Sequence, residues 1–503
     1  MLLCLISMVA GNSAIGTCFA DQQPDRSHLQ NSDTMTDTPP DTQADLTLQL
    51  DWSAYQDAGM GDAYADIPKH GGNYAKAIAA CINSRQCEAD GKQVMCPSYR
   101  ISEDANLSTG GRVRLLKAAL ASAQGASKET APLLTPELET AMDLCVICKG
   151  CKRECESNVD MPLIKAEYLA QKYALQPRSW RSRLFADLPA LVHRFPWVAR
   201  LISWRNQSRM VRLLVDPILK LNSDVELPQP RPESARMLTG TARTDDETTA
   251  PDTTSTPEKP AVVLFLDTFT RQFEPHIATA AIKVLARGGY EVRLLEPENP
   301  EEPGYCCGRT WLAQGMIPKA RQQAQRLIQA LMPLIDQGYI IVGLEASCVL
   351  GLRDDAQALG LDEDIARATQ NTFLLEEFLA REIKAKRLDL TFATPDVATL
   401  IHGHCHQKAT GAMKSVRRVM KLIPEHNFDF INSSCCGMAG SFGLEAEHAE
   451  HSRAMAEQEL LPSLANNQNK NVVANGFSCR QQIRNHSDAK PMHLAELLAE
   501  YMD

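Results

Sequence analysis

The sequence predicts two kinds of fold in one chain: an all-α domain carrying closely spaced cysteines, then an α/β domain with an internal duplication. Three observations carry that expectation. The cysteines from Cys81 to Cys155 lie among amphipathic helical segments. Four short β-branched runs, at residues 261–266 (AVVLFL), 339–344 (YIIVGL), 399–402 (TLIH) and 471–474 (NVVA), alternate with helical stretches, as buried parallel strands do. Between the two parts, residues 228–260 are polar, rich in Pro and Thr, and hold almost nothing able to build a core.

Bulk composition narrows the chemistry. A chain of 503 residues has room for two or three domains, and 44% apolar with 23% charged residues is ordinary for a globular protein. The net charge of −10 argues against nucleic acid as a partner. Sixteen cysteines are the unusual feature. The adjacent pairs Cys306-Cys307 and Cys435-Cys436, and the tight run from Cys145, do not look like a secreted disulfide framework. Clustered thiols in a long chain bind metal or do redox work, so a reducing, cytoplasmic compartment is expected. The first twenty residues are apolar but lack the positive start of a signal peptide. No later stretch reaches the roughly 18 uncharged residues of a membrane span. Residues 184–204 come nearest and are interrupted by Asp187, His193, Arg194 and Arg200.

Taken in order, residues 1–68 read as an N-terminal tail, largely disordered, with residues 21–48 rich in Asp, Gln, Thr and Pro. Residues 69–227 read as the α-helical domain. Within it, 112–123 (RVRLLKAALASA) is a helix that Ser108 or Thr109 could cap, led in by Gly110-Gly111. Residues 161–172 form a second helix with Pro162 in its first turn, and 184–221 carry further amphipathic pattern with basic residues between apolar ones. Residues 228–260 form a flexible linker that would let the halves move relative to each other. Residues 261–503 form the α/β domain, with helices at 276–287 and 317–335 between strands. Cys348, Cys405 and Cys479 each follow a strand closely, at the carboxyl edge where α/β folds put their sites.

Cys145, Cys148, Cys151 and Cys155 have the C-x2-C-x2-C-x3-C spacing of a [4Fe–4S] ligand run. Three thiolates so close together can wrap three corners of one cubane, and the fourth reaches a different cluster. A zinc knuckle is the structural alternative. A partner run is required, and Cys81, Cys87 and Cys96-Pro97 supply it with wider spacing. The expected fold is therefore an all-α, two-cluster ferredoxin domain. The first cluster takes Cys145, Cys148, Cys151 and Cys96. The second takes Cys81, Cys87 and Cys155 and is one cysteine short. Asn83, Ser84, Glu88, Asp90 or water fills its fourth corner, or it is a three-iron form. Lys149, Lys152 and Arg153 lie inside the ligand loop. They read either as a solvated face, or as charge that raises the cluster potential and docks an acidic partner.

The second half looks repeated. Asp267-Thr268-Phe269, Cys306-Cys307-Gly308 and Ala346-Ser347-Cys348 parallel His404-Cys405-His406, Cys435-Cys436-Gly437 and Phe477-Ser478-Cys479. A duplicated lobe enclosing one shared site is expected. Three readings stand for Cys306, Cys307, Cys348, Cys405, Cys435, Cys436 and Cys479. They are an iron–sulfur or related redox metal site, a zinc site, or thiol–disulfide chemistry. His404 and His406 are left out of the ligand set, because strand alternation would put them on the face opposite Cys405.

The segment CINSRQCEADGKQVMCPSYRISEDANLSTGGR, with LCVICKGCKREC, resembles the ferredoxin segment of FAD- and iron–sulfur-containing D-2-hydroxyacid dehydrogenases, including the D-lactate dehydrogenase-like group. Glu156 stands where that family usually has proline. The stretches DTFTRQFEP, CCGRTWLAQG, GLEASCVLGLRDD, HGHCHQKA, SSCCGMAGSFG and VVANGFSCRQQI resemble the same family's cysteine-rich CCG domain. That domain is similar to those of glycolate oxidase iron–sulfur subunits and heterodisulfide reductase catalytic subunits. Asp267 is read as replacing the first copy's leading cysteine. The resemblance implies an electron-transfer oxidoreductase subunit with two [4Fe–4S] clusters, and Fe–S or Zn at the CCG site. The family's flavin-binding half would precede residue 70, and no Gly-rich dinucleotide motif is present, so no flavin is expected in this chain. Its implied partners are a separate FAD-linked dehydrogenase acting on a D-lactate- or glycolate-type 2-hydroxyacid, and a membrane quinone or other acceptor. Placement would be cytoplasmic, with a peripheral seat on the inner face of the membrane. A disulfide-reducing catalytic subunit is the alternative, and a scaffold holding only zinc is a third reading.

Overall fold

A computed structural model describes residues 46–58, 66–89, 94–122, 132–231, 259, 261–299 and 302–503. Most of the linker and tail expectations, and Asp90, lie outside these residues. The tail reading needs correction at residues 46–58. Leu50 and Trp52 are buried there, and the Leu50 N–H (2.8 Å) and Trp52 Nε1 (3.2 Å) donate to the Glu167 carboxylate.

The described part of residues 46–231 is helical, apart from one isolated bridge at Leu221. Helix α1 (Thr109–Ser122) starts three residues before the expected 112 and takes in both glycines, with Ser108 Oγ accepting from the Gly111 N–H at 2.9 Å as one of the two expected caps. Gly111 is needed for close approach, since a Cβ there would lie 1.9 Å from the Ala105 carbonyl oxygen. Helix α2 (Gly150–Glu154) lies inside the second cysteine run. Helix α3 (Met161–Leu175) is capped by Asp160, with Pro162 in its first turn. The basic amphipathic stretch divides into α4 (Trp180–Arg194), α5 (Val198–Gln207) and α6 (Arg209–Leu219).

The second half is two parallel four-stranded sheets of identical strand order. Strands β1 (Val262–Phe265), β2 (Val292–Leu294), β3 (Ile340–Gly343) and β4 (Thr372–Leu374) run in the order β2-β1-β3-β4. Strands β5 (Thr399–His402), β6 (Phe428–Phe430), β7 (Asn471–Ala474) and β8 (Pro491–Met492) run β6-β5-β7-β8. The four predicted strands are the inner pair of each sheet. Alternate residues feed different cores, as the pleat requires. Val262 and Leu264 of one sheet, with Ile401 and Val473 of the other, share a core between the lobes that includes helices α7 (Pro275–Arg287) and α12 (Leu494–Tyr501). Val263 and Phe265 face a core shared with the helical half, and Leu400 and Val472 face a third.

That shared core corrects the expectation of two freely moving halves. Helix α8 (Ile317–Asp336) follows Gly315, whose φ is +68° and where a Cβ would lie 2.6 Å from Leu169 Cβ of α3. Lys149 is only 2% exposed and pairs with Asp354 and Asp355, just beyond helix α9 (Ala346–Arg353). Lys152 also pairs with Asp354, and Arg153 donates to the Lys408 carbonyl. The solvated-face reading therefore fails for Lys149. The acidic partner of this loop belongs to the same chain.

Candidate redox and metal sites

The first site is built where the two short cysteine runs cross. A cavity there is lined by Cys96, Cys145, Cys148 and Cys151 together with Thr109, Arg112 and Lys149. These are the four cysteines the sequence assigns to one cluster. Ile147 (φ +53°) and Lys149 (φ +62°) flank Cys148 in the left-handed region, which sparsely populated backbone reaches mainly at functional sites. The turn aims amides at sulfur. The Thr109 N–H donates to Cys96 Sγ at 3.1 Å, the Gly110 N–H to Cys87 Sγ at 3.3 Å, and the Gly150 and Met161 amides serve Cys148 and Cys151. Burial pushes the Cys148 thiol up to about 12, so an apolar pocket this deep disfavours free thiolates. Four thiols converging on one cavity, with amides directed at sulfur and the Arg112 charge near Cys96, fit an iron–sulfur cluster that is anionic once its four thiolates are counted.

Cys81, Cys87 and Cys155 form a neighbouring group, close enough for their charges to interact. Cys87 also shares a hydrogen bond with Cys96, so the two groups touch. Two further side chains lock the runs together, and neither carries a spacing signal. The Glu154 carboxylate accepts from the Val94 (3.0 Å) and Met95 (2.8 Å) amides. Arg112, buried, donates to the Ala141 carbonyl at 2.6 Å and to Ser98 Oγ at 2.8 Å. At Gly150 a Cβ would lie 2.7 Å from Met95 Cα, so the loop crossing demands glycine.

The cysteines of the second half link into two hydrogen-bonded groups, one in each lobe. In the first lobe the free thiol of Cys306 hydrogen-bonds that of Cys307, and Cys307 hydrogen-bonds Cys348. In the second, helix α10 (Cys405–Thr410) brings Cys405 to Cys435, Cys435 hydrogen-bonds Cys436, and Cys436 hydrogen-bonds Cys479 of α11 (Phe477–His486). The glycine after each cysteine pair has the same cause. Gly308 and Gly437 have φ of +81° and +89°, and a Cβ would lie 2.4 and 2.1 Å from the carbonyl oxygens of Ala320 and Ser452.

Residues 270–353 and 399–484 match the family model of the cysteine-rich CCG domain. The second half thus carries two stretches, one in each lobe, that are similar to the CCG domain. Over 469 residues, 84% of the chain, it is 24% identical to D-2-hydroxyglutarate dehydrogenase of Pseudomonas putida and spans 42% of that protein. Over 250 residues it is 26% identical to one subunit of the anaerobic glycerol-3-phosphate dehydrogenase of Escherichia coli, covering 48% of this chain and 59% of that one. Lactate utilization protein A of Bacillus cereus is 22% identical over 250 residues, 98% of its length.

The strand register corrects the reading of Asp267. Phe265 pairs with Gly343 as His402 pairs with Ala474, so Phe265 corresponds to His402 and Thr268 to Cys405. Thr268 bonds Cys306 as Cys405 bonds Cys435. Asp267 instead corresponds to His404, and both cap the helix that follows. The alternation argument for His404 and His406 fails too, because β5 ends at His402 and a helix begins. His406 Nε2 stands between Arg309 Nη2 (3.0 Å) and the Ile147 carbonyl (3.1 Å), joining both lobes to the first site.

The two lobes differ electrostatically. The first holds buried Asp267 and Glu345. Burial, reinforced by the Asp267 charge, pushes Glu345 up to about 7. The second holds Lys408, whose Nζ donates to the Ser433 carbonyl at 2.5 Å. Burial lowers the Lys408 pKa and the surrounding thiols oppose that shift. His402, absent from the sequence-based set, reaches Cys436 and Cys479, all three ligand atoms lying within 4.8 Å of one another. Burial holds its pKa well below the ordinary histidine value, so the imidazole is neutral. The second lobe also adjoins the helical half's site. Cys148 interacts with the charges of both Cys405 and Cys435.

Proposed function

We propose that this chain is an iron–sulfur electron-transfer component of an oxidoreductase. It would take electrons from a separate FAD-linked 2-hydroxyacid dehydrogenase and deliver them toward a quinone or other acceptor. The observation that carries the reading is the cavity bounded by Cys96, Cys145, Cys148 and Cys151, with Cys148 against the second CCG lobe. Those four thiolates would hold one [4Fe–4S] cluster. Cys81, Cys87 and Cys155 would hold three corners of a second, completed by a non-cysteine ligand or left in a three-iron form. Bound clusters supply one-electron chemistry, which divides the two electrons of a reduced flavin. The protein's share is to bury the relay, satisfy its sulfurs with amides, and hold the stations in fixed sequence through the Lys149–Asp355 and His406–Ile147 contacts. The dehydrogenase names of the relatives support the oxidoreductase class.

A cytoplasmic placement, peripheral on the inner face of the membrane, belongs to the same reading. No helix among the described residues is long and apolar enough to cross a membrane. Met210, Leu213, Leu214 and Ile218 nevertheless form one exposed apolar face of α6, with Trp204 exposed on α5. Arg209 and Lys220 are exposed beside them in a chain of net charge −10, a pattern suited to an anionic lipid surface. Leu213→Glu/Leu214→Glu should abolish co-sedimentation with anionic vesicles.

The central experiment is anaerobic purification with iron, sulfide and zinc counts. A brown protein is expected whose visible absorbance bleaches with dithionite, and with a 2-hydroxyacid once its flavoprotein is added. A folded, colourless protein without acid-labile sulfide would end the proposal. Turnover of a disulfide by the isolated chain would favour the reductase alternative.

A further inference from the structure

We propose that the second CCG lobe binds its metal through a mixed sulfur and nitrogen set, in which His402 Nε2 joins Cys436 and Cys479. The inference rests on the reading that the CCG cysteines hold metal, and it adds a ligand that spacing did not suggest. Three observations carry it.

The first is convergence. His402 Nε2 or Nδ1, Cys436 Sγ and Cys479 Sγ all lie within 4.8 Å of one another, and all three residues are buried. One ion at ordinary metal–nitrogen and metal–sulfur lengths of about 2.0–2.3 Å would need only small side-chain movements to bind all three. The second is an orphaned atom. His402 is 1% exposed and its Nδ1 lies 3.0 Å from Ser433 Oγ, while its Nε2 is buried without a hydrogen-bond partner. A buried ring nitrogen without a partner is rare unless something absent from the protein atoms satisfies it. Ser433 is the kind of outer contact that fixes the tautomer and orientation of a ligating imidazole.

The third observation comes from the other lobe. Phe265 occupies the equivalent strand position in the same fold and is 1% exposed. An apolar ring packs there, so packing alone does not call for histidine. The lobe with phenylalanine also has Thr268 where the second has Cys405. Two ligand positions are thus filled by non-ligands together in one lobe, and by ligand types together in the other. Lys408 is not the missing partner, since its Nζ is directed to the Ser433 carbonyl and Oγ and to the Ser434 carbonyl. Its charge instead offsets the thiolates. The fourth corner falls to one of the hydrogen-bonded thiols Cys405 and Cys435, the latter also hydrogen-bonded to Cys436. Three sulfurs and one nitrogen make a closed tetrahedral site for a thiophilic divalent ion, zinc above all.

The test uses the full chain, purified without oxygen, with Zn²⁺ and then Co²⁺ as probes. Zinc X-ray absorption should show a sulfur-rich shell with the outer scattering of one imidazole ring. His402→Gln should remove that ring signature and weaken zinc binding roughly tenfold or more. Ser433→Ala should keep the signature while weakening binding less. Visible absorbance of the helical half reports that each variant is folded. An all-sulfur shell, unchanged in His402→Gln, would overturn the histidine ligand and leave a CCG metal standing. Failure of the folded wild-type chain to take up either ion beyond its iron would overturn both.

Discussion

The two CCG lobes share strand order, register and the glycine that turns each cysteine pair, yet they have diverged in what surrounds the sulfur. The first has three thiols, a threonine, a phenylalanine and two buried carboxylates: Cys306, Cys307, Cys348, Thr268, Phe265, Asp267 and Glu345. The second has four thiols with His402 and Lys408. Negative charge disfavours the thiolates that metals need, and positive charge favours them. The scaffold is shared, while the charge beside the sulfurs differs between the lobes. The first lobe docks on the helical half through different residues from the second. Asp354 and Asp355 follow its last cysteine helix and grip Lys149, whereas the matching register in the second lobe carries Asn485 and His486.

The sharpest way to break this comparison is to remove one sulfur from each lobe. Cys436→Ser should lose the CCG metal entirely, while Cys307→Ser should leave the metal count unchanged. Complete loss from either variant would mean that the lobes share one site, and partial loss from both would mean that each lobe holds metal. Next in size is the docking contact. Lys149→Met leaves Asp355 buried beside Arg309 alone and deprives Asp354 of one partner. Breaking a buried ion pair from one side typically costs about 3–5 kcal/mol. Urea unfolding of the cluster-loaded chain should show a loss of that order, where an exposed pair would show under about 1 kcal/mol. A gain of function sharpens the same contrast. Thr268→Cys with Phe265→His restores to the first lobe what the second has, and should add metal uptake more weakly than the native site because Asp267 and Glu345 remain.

Legibility from sequence followed the range of each interaction. Strands β1, β3, β5 and β7 are buried on both faces, so they read as continuous apolar runs. The outer strands, such as Val292–Leu294 and Phe428–Phe430, are three residues long and mixed in polarity, and carry no such signal. The cysteines announced themselves by spacing, because neighbours in the chain must wrap one object. Glu154, Arg112 and His402 did not, since each acts on groups brought close only by folding. Asp267 stands one residue before the position that matches Cys405. Motif matching alone does not show where a strand stops and a helix cap begins.

The smallest expected effect tests how the second lobe is held to the helical half. His448 Nε2 lies 2.7 Å from Asp143 Oδ2, and its Nδ1 3.1 Å from Glu445. Burial alone would lower the histidine pKa, but the hydrogen bonds to Asp143 and Glu445 prevail and push it up to about 9. Burial likewise opposes ionisation of Asp143, and the His448 hydrogen bond with the Lys165 charge holds it below its usual range. The histidine's contribution is therefore whole below its unfolded value of about 6.5 and disappears as pH rises through about 9. The carboxylate's contribution is whole above its unfolded value of about 3.9 and is lost on acidification. Between those limits both are charged and the contact is intact. Hydrogen exchange around Leu144 and Phe442 should quicken between pH 7 and pH 10 beyond the intrinsic rate. In His448→Gln that extra acceleration should vanish, because glutamine bridges the same carboxylates without titrating. The first lobe's docking pair should show no such step, since Lys149 is held charged to still higher pH by Asp355, Asp160 and Asp354 against the cost of burial.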